Sequence, residues 1–299
     1  MARAPRSVGR STATDARRRG GTVHLTALRF RGRGDERVFP FSVPAVRSLS
    51  EIAFTTPVTF FVGENGSGKS TILEAIAAAS NLPAVGSESA DRDATLHAQR
   101  TLAGHLTLVW TLRTRRGFFL RAEDFFGFTK WLSTLRAELL GRLGEIEEEY
   151  RDRSPLARGL ASGPVAASIA DMERRYGVDL DANSHGQSFL KLFQNRFVPG
   201  GLYLLDEPEA PLSPQSQLVL IAMIQEMVGR DAQFIIATHS PILLAFPGAR
   251  IYSFDQTPVA SVEYGELEHV NLTRAFLNAP ERYLRHLVAP ADADAPAAD

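Results

Sequence analysis

The 299-residue chain has no cysteine, which excludes disulfides and thiolate metal sites and removes any cysteine-based sign of its redox compartment. It has no uninterrupted apolar run near the ~18 residues that mark a membrane-spanning helix. It has almost no charge imbalance: 33 Lys and Arg stand against 34 Asp and Glu, a net charge of −1. No global field therefore draws it to nucleic acid or to an acidic membrane, although a local basic patch stays open. The arginines near the N-terminus have no apolar stretch behind them, which is not the pattern of a secretory signal. The expectation is a soluble, cytoplasmic protein without a transmembrane segment of its own. What is present is a hydrophobic content of 44%, enough for a full core in one large domain or two small ones.

The chain is organised around Gly63-Glu64-Asn65-Gly66-Ser67-Gly68-Lys69-Ser70, followed by Thr71, which fits the G-x-x-x-x-G-K-[ST] phosphate loop, or Walker A motif. Val58 to Val62 before it is short, apolar and rich in β-formers, hence a buried strand. Ile72, Leu73, Ile76 and Ala77 after it lie at helical spacing. The glycines let backbone N–H groups turn toward phosphate, and the helix N-terminus adds partial positive charge. Lys69 then reaches the β- and γ-phosphates, and Ser70 ligates Mg²⁺.

Around this motif the chain reads as an α/β core. Residues 1–20, with Arg3, Arg6, Arg10, Arg17, Arg18 and Arg19, form a basic disordered tail, with a nucleic-acid arm as the alternative. Val23 to Phe30 alternates as a half-exposed strand, and Arg37 to Phe41 is expected to pair with it, placing Phe39 or Phe41 where an aromatic stacks on adenine. Leu106 to Leu112 is a second alternating strand, and Phe118 to Leu120 returns after it. From Asp124 to Asn183 the pattern is helical, with Leu132, Leu135, Leu139, Leu143, Ile146 and Tyr150 on one stripe. Pro155, Gly159, Gly163 and Pro164 break the region, and a second short helix covers Val165 to Tyr176. This is a helical lid inserted into the core. The folded domain is expected to span 21–288, and 289–299 to be a second disordered tail.

Two apolar strands end in polar residues. Leu202 to Leu205 runs into Asp206 and Glu207, which belong at the strand's C-terminal mouth, where ligands bind in parallel sheets. There Asp206 holds Mg²⁺, and Glu207 orients and deprotonates an attacking water. Gln233 to Thr238 ends at His239, placed to hydrogen-bond a γ-phosphate. Ser184-His185-Gly186-Gln187-Ser188 opens another helix, which by itself reads as an N-cap or an anion site.

In chain order, the phosphate loop, the Ser184-x-Gly186-Gln187 turn, Asp206-Glu207 after an apolar strand and His239 after the next strand resemble the heads of ABC-type ATPases. Leu204 to Pro214, with Asp206-Glu207-Pro208-Glu209, looks like the stand-alone prokaryotic ATPases often labelled AAA-family. The resemblance implies an antiparallel β subdomain beside a P-loop core. It further implies ATP hydrolysis to ADP and phosphate with Mg²⁺, and an ATP-dependent head-to-tail homodimer. Ser184, Gly186 and Gln187 of one copy then meet the γ-phosphate on the other. Where the family has Asp after the Walker B acids, this chain has Ser213, and its Mg²⁺-sensing glutamine has no clear counterpart. Glu123 is the candidate and Gln99 the alternative. Two rival roles go with the resemblance: an ATP-gated DNA-associated module in repair or phage defence, and the ATPase subunit of a membrane transporter.

Overall fold

The computed structural model describes residues 21–32, 34–85, 97–176 and 185–285. Both terminal tails and Ser184 lie outside the described residues. The chain divides into a main unit ending at Ser261 and a second beginning at Val262.

The main unit holds two sheets. The larger has strands in the order β5-β6-β7-β3-β8-β9, with β5 (Gly117–Arg121), β6 (Leu202–Asp206), β7 (Gln233–Ala237), β3 (Val58–Val62), β8 (Arg250–Ser253) and β9 (Ala260–Val262). From β5 through β8 every neighbouring pair is parallel. Strands β3, β6 and β7 are buried along their whole length, because helices cover both faces of such a sheet and an unbroken apolar run is what they need. The smaller sheet has the order β2-β1-β4, all antiparallel, from β2 (Glu51–Ala53), β1 (Leu25–Phe30) and β4 (Leu106–Trp110). Strands β1 and β2 mix buried with exposed residues and β4 is half-buried throughout, as a sheet with one wet face allows.

One buried side chain joins the sheets. Gln233, the first residue of β7, accepts from the N–H groups of His24 and Leu25 at 2.9 and 2.8 Å and donates to Leu25 O at 2.8 Å. It continues the strand ladder with a side-chain amide, which pairs the backbone N–H groups of His24 and Leu25.

Three sequence expectations are corrected. Arg37 to Phe41 forms turns rather than a strand, and β2 is the antiparallel partner of β1. Pro40 and Pro44 lack the N–H a ladder needs. Phe118 to Leu120 does not return against β4 but enters the other sheet beside β6. Gly117 makes this entry: its φ is +120°, and a Cβ there would fall 1.8 Å from Leu202 O. The lid is two long helices, α4 (Ala122–Glu149) and α5 (Pro155–Tyr176), with Pro164 inside the second. An interior proline costs a helix about 3 kcal/mol in isolation, but packing of α5 on α4 overrides that preference. The stripe from Leu132 to Tyr150 is the covered face of α4, with Leu132 and Ile146 buried.

Aromatic rings fasten this lid to the sheet. Phe125 of α4 meets Phe189 edge-on at 4.6 Å, and Phe189 meets Phe193 at 4.7 Å, both on α6 (His185–Arg196). Phe193 and Phe197 continue to Phe118, Tyr203 and Phe234 on β5, β6 and β7. Each such pair contributes roughly 0.5–1.5 kcal/mol beyond its buried area, so the chain of rings holds α4 and α6 firmly.

The second unit contains a 3-10 turn at Tyr264–Glu266, capped reciprocally by Glu263 and Glu266, then α-helices over Glu268–Asn278 and Pro280–Leu284.

Candidate active site

Every parallel strand of the large sheet from β5 to β8 delivers chemistry at its C-terminal end. β3 leads into the phosphate loop, β5 ends in Arg121, β6 in Asp206, β7 in Thr238 and His239, and β8 in Asp255. This is the mouth at which open parallel sheets bind ligands.

The loop runs from Gly63 into α2 (Lys69–Ser80). Gly68 is the N-cap, with φ +105°, and a Cβ there would lie 2.7 Å from Val43 Cγ1. The segment before α1 (Pro44–Arg47) thus presses directly on the loop, and only glycine fits. Asp255 anchors the other end by accepting from the Glu64 N–H at 2.6 Å. Lys69 is buried and donates to the carbonyls of Gly63 and Glu64 at 2.7 and 2.9 Å, so its ammonium already sits inside the cradle. Burial lowers its pKa, while the charges of Glu207, Asp206, Asp255 and Glu209 favour the cation.

The Ser70 hydroxyl lies beside Asp206 and favours its charged form, which brings two oxygen donors together. Asp206 is buried, and its Oδ1 has no hydrogen-bond partner among the described residues. Burial pushes its carboxyl up to about 7; the Ser70 hydrogen bond opposes this, nearby Glu74 and Glu207 add to it, and Arg121 opposes it. A hydroxyl and a desolvated, underpaired carboxylate are oxygen donors that suit Mg²⁺, so Ser70 and Asp206 fit the metal.

Glu207 has φ +50°, a left-handed conformation that costs a non-glycine residue about 1–3 kcal/mol. Its N–H still donates to Ala237 O at 2.9 Å, which holds the residue at the C-terminal end of β6 while the turn re-aims its side chain. Its carboxylate lies 3.7 Å from His239 Nε2, and the two side chains are 47% and 40% exposed. Lys69, Ser70, Asp206, Glu207 and His239 are therefore gathered at one mouth.

The remaining expected residues are placed differently. Gly186 is buried in the first turn of α6, and Gln187 beside it is exposed. A Cβ on Gly186 would lie 3.0 Å from Pro211 O, so this turn rests on the loop after the Walker B acids. Ser213 of that loop caps α7 (Pro214–Val228), accepting from the Ser216 N–H at 3.2 Å. Glu123 is exposed on the first turn of α4. Gln99 lies on α3 (His97–Ala103), is buried and hydrogen-bonds Glu74. Phe41 packs on Phe30 and His105 in the core, which leaves Phe39 as the exposed ring of the two.

Sequence reasoning passed over Glu74, Arg121 and Asp255. Glu74 and Arg121 form a buried ion pair. Burial raises the Glu74 pKa, and the Arg121 charge and the hydrogen bonds from Arg121 and Gln99 pull it down. The signal was present: Glu74 is an acid on an otherwise apolar helix, one turn beyond Ser70, and Arg121 and Asp255 stand at strand ends.

Residues 41–95 match the family model of the AAA domain. No curated protein matches the chain. Among solved structures, the head domain of Smc from Pyrococcus furiosus, with an extended coiled coil and bound to the C-terminal domain of ScpA, is similar at 14% identity. That likeness covers 87% of this chain and 99% of the other, at a TM-score of 0.43. An ATP-binding cassette of an ABC transporter in its ADP conformation is similar at 16% identity, covering 88% and 99%, with a TM-score of 0.41. A nucleotide-free ATP-binding cassette from an ABC transporter is similar at 17% identity, covering 87% and 99%, with a TM-score of 0.40. At these TM-scores the fold is read from the chain's own topology: a mostly parallel sheet with helices, a phosphate loop between β3 and α2, and an antiparallel sheet beside it.

Proposed function

We infer for this chain, an ABC-type P-loop ATPase head by its loop, strand order and family match, a cycle of ATP binding, pairing of two copies and hydrolysis. The observation that carries the reading is that Glu207 and His239 are 47% and 40% exposed beside the buried Lys69 and Asp206. Phosphoryl transfer to water depends on positioning and electrostatics, and both weaken when solvent reaches the reacting atoms. A second copy supplies the missing cover. The first turn of α6 presents Gln187 and helix N–H groups suited to a γ-phosphate.

In this cycle Lys69 leaves its two carbonyls for the β- and γ-phosphate oxygens. Ser70 and Asp206 hold Mg²⁺, which offsets phosphate charge when bound. Glu207 orients a water and takes its proton as the new O–P bond forms and the bond to ADP breaks. His239 donates to a γ-phosphate oxygen and steadies Glu207. Release of phosphate removes the ligand shared by the two copies, so the pair separates.

The test is sedimentation velocity on the Glu207→Gln protein with and without ATP and Mg²⁺. The expected result is a dimer only with nucleotide. Adding Gln187→Glu, which sets a carboxylate against triphosphate, returns the monomer. A monomer under every condition overturns the pairing, and a dimer indifferent to nucleotide overturns its dependence on ATP.

A further inference from the structure

Glu209 takes no part in the chemistry above, yet it is the most heavily used acid in the site. Its Oε1 accepts from Thr238 Oγ1 at 2.6 Å and from the His239 N–H at 2.7 Å. Thr238 Oγ1 in turn accepts from the Ser240 N–H at 3.0 Å. Ser240 Oγ donates to Gln217 Oε1 at 2.6 Å, and Gln217 Nε2 donates to Leu212 O at 3.2 Å. Leu212 N–H donates back to Glu209 O at 2.8 Å, which closes a ring of hydrogen bonds. Thr238 and Ser240 are buried, so each bond is costly to break without replacement. The ring joins three places: the exit of β6, the backbone of His239, and the loop from Ala210 to Ser213. The first turn of α6 rests on that same loop, through Gly186 against Pro211 and Leu212.

We propose that Glu209 is a positioning residue: it holds the His239 backbone and, through Thr238, Ser240 and Gln217, locks the histidine to the loop that supports the Gly186 turn. The inference rests on the paired-copy reading above and adds regulation to it. A γ-phosphate gripped by His239 biases the loop. The loop sets the Gly186 turn, which on that reading serves the other copy's nucleotide. The two sites of a pair are thus mechanically linked through a ring lying wholly within each chain.

The steady-state ATPase of three full-length variants tests this. Glu209→Gln keeps an acceptor oxygen for Thr238 and the His239 N–H, and is expected to stay within about threefold of wild type. Glu209→Ala frees His239, and a misplacement of about 1 Å costs on the order of 10²-fold in rate. Its kcat is expected to fall at least about tenfold while KM for ATP stays within about twofold, because the phosphate loop is untouched. Gln217→Leu leaves the Glu209 bonds to Thr238 and His239 intact and cuts the links to Ser240 and Leu212. It is expected to keep kcat within about twofold but to lose any sigmoidal dependence on ATP seen in wild type. A Glu209→Ala protein hydrolysing at the wild-type rate overturns the proposal, as does an equal loss in Glu209→Gln. If Glu209→Ala does not fold, Glu209→Met, which fills the same space without an acceptor oxygen, takes its place, with the same expected kcat loss and the same overturning result. Trapping of the Glu207→Gln dimer separates the two ideas. A normal ATP-dependent dimer beside a fully active Glu209→Ala protein sinks this inference alone, and absence of any dimer sinks the pairing first.

Discussion

The carboxyl of Asp206 yields a quantitative expectation for metal binding. Its folded-state pKa is raised to about 7 because burial disfavours the anion. A proton and Mg²⁺ compete for the same oxygen, so apparent Mg²⁺ affinity scales with the deprotonated fraction. With a value of about 7, that fraction changes about tenfold between roughly pH 8 and roughly pH 6, and Mg²⁺ affinity is expected to change by the same factor. Binding near pH 7 should release about half a proton from this group. The sign for folding follows from the same shift. The metal-free protein feels no penalty from Asp206 below 3.8, loses stability as pH rises toward about 7, and bears the full penalty above it. The assay is a Mg²⁺ titration of the nucleotide-bound protein by calorimetry at three pH values, with Asp206→Asn as control for titration of the phosphates. If wild type and Asp206→Asn show the same pH slope, Asp206 is not the group competing with Mg²⁺.

Three further outcomes are expected. Lys69→Ala removes the ammonium held at Gly63 O and Glu64 O and should abolish nucleotide binding; retention of tight binding in a fluorescent-nucleotide titration refutes its role. Glu207→Gln should slow turnover at least tens-fold, given the roughly 10²–10⁴ typical of a general base, yet still bind ATP. With a side chain 47% exposed, its melting temperature should hardly move, and full activity removes Glu207 from that role. Arg121→Met leaves Glu74 as an uncompensated buried acid and should cost about 3–5 kcal/mol in urea unfolding, with most of it recovered in the Arg121→Met, Glu74→Met double variant. A single variant as stable as wild type would refute that pairing.

Much of the site was legible because its chemistry is local. The phosphate loop is eight consecutive residues whose glycines, lysine and serine act through the backbone turn they themselves make. Asp206-Glu207 and His239 announced themselves as polar residues ending runs of apolar strand, since a buried strand cannot carry them anywhere but its end. The lid was legible as helix from its stripe, and its second helix was legible from Val165 to Tyr176 but not back to Pro155. Pro164 argues locally for a break, and only packing on α4 overrides it. Phe41 shows the opposite limit: an aromatic before a phosphate loop suggests a base platform, and only the neighbours Phe30 and His105 make it core.

By itself, then, the order of residues determined that a triphosphate cradle exists, which acids stand at the strand ends, and that an α/β core carries them. Tertiary structure decided the partnerships: Glu74 with Arg121, Asp255 with the Glu64 amide, Glu209 with the His239 backbone, and β5 beside β6 rather than β4. The reason is distance along the chain. The partners in these pairs lie between 30 and 191 residues apart wherever a hydrogen bond joins them. Hydrophobic periodicity states which face of an element is covered, but what meets that face is settled only when the sheet closes and burial makes an unpaired charge too costly to keep.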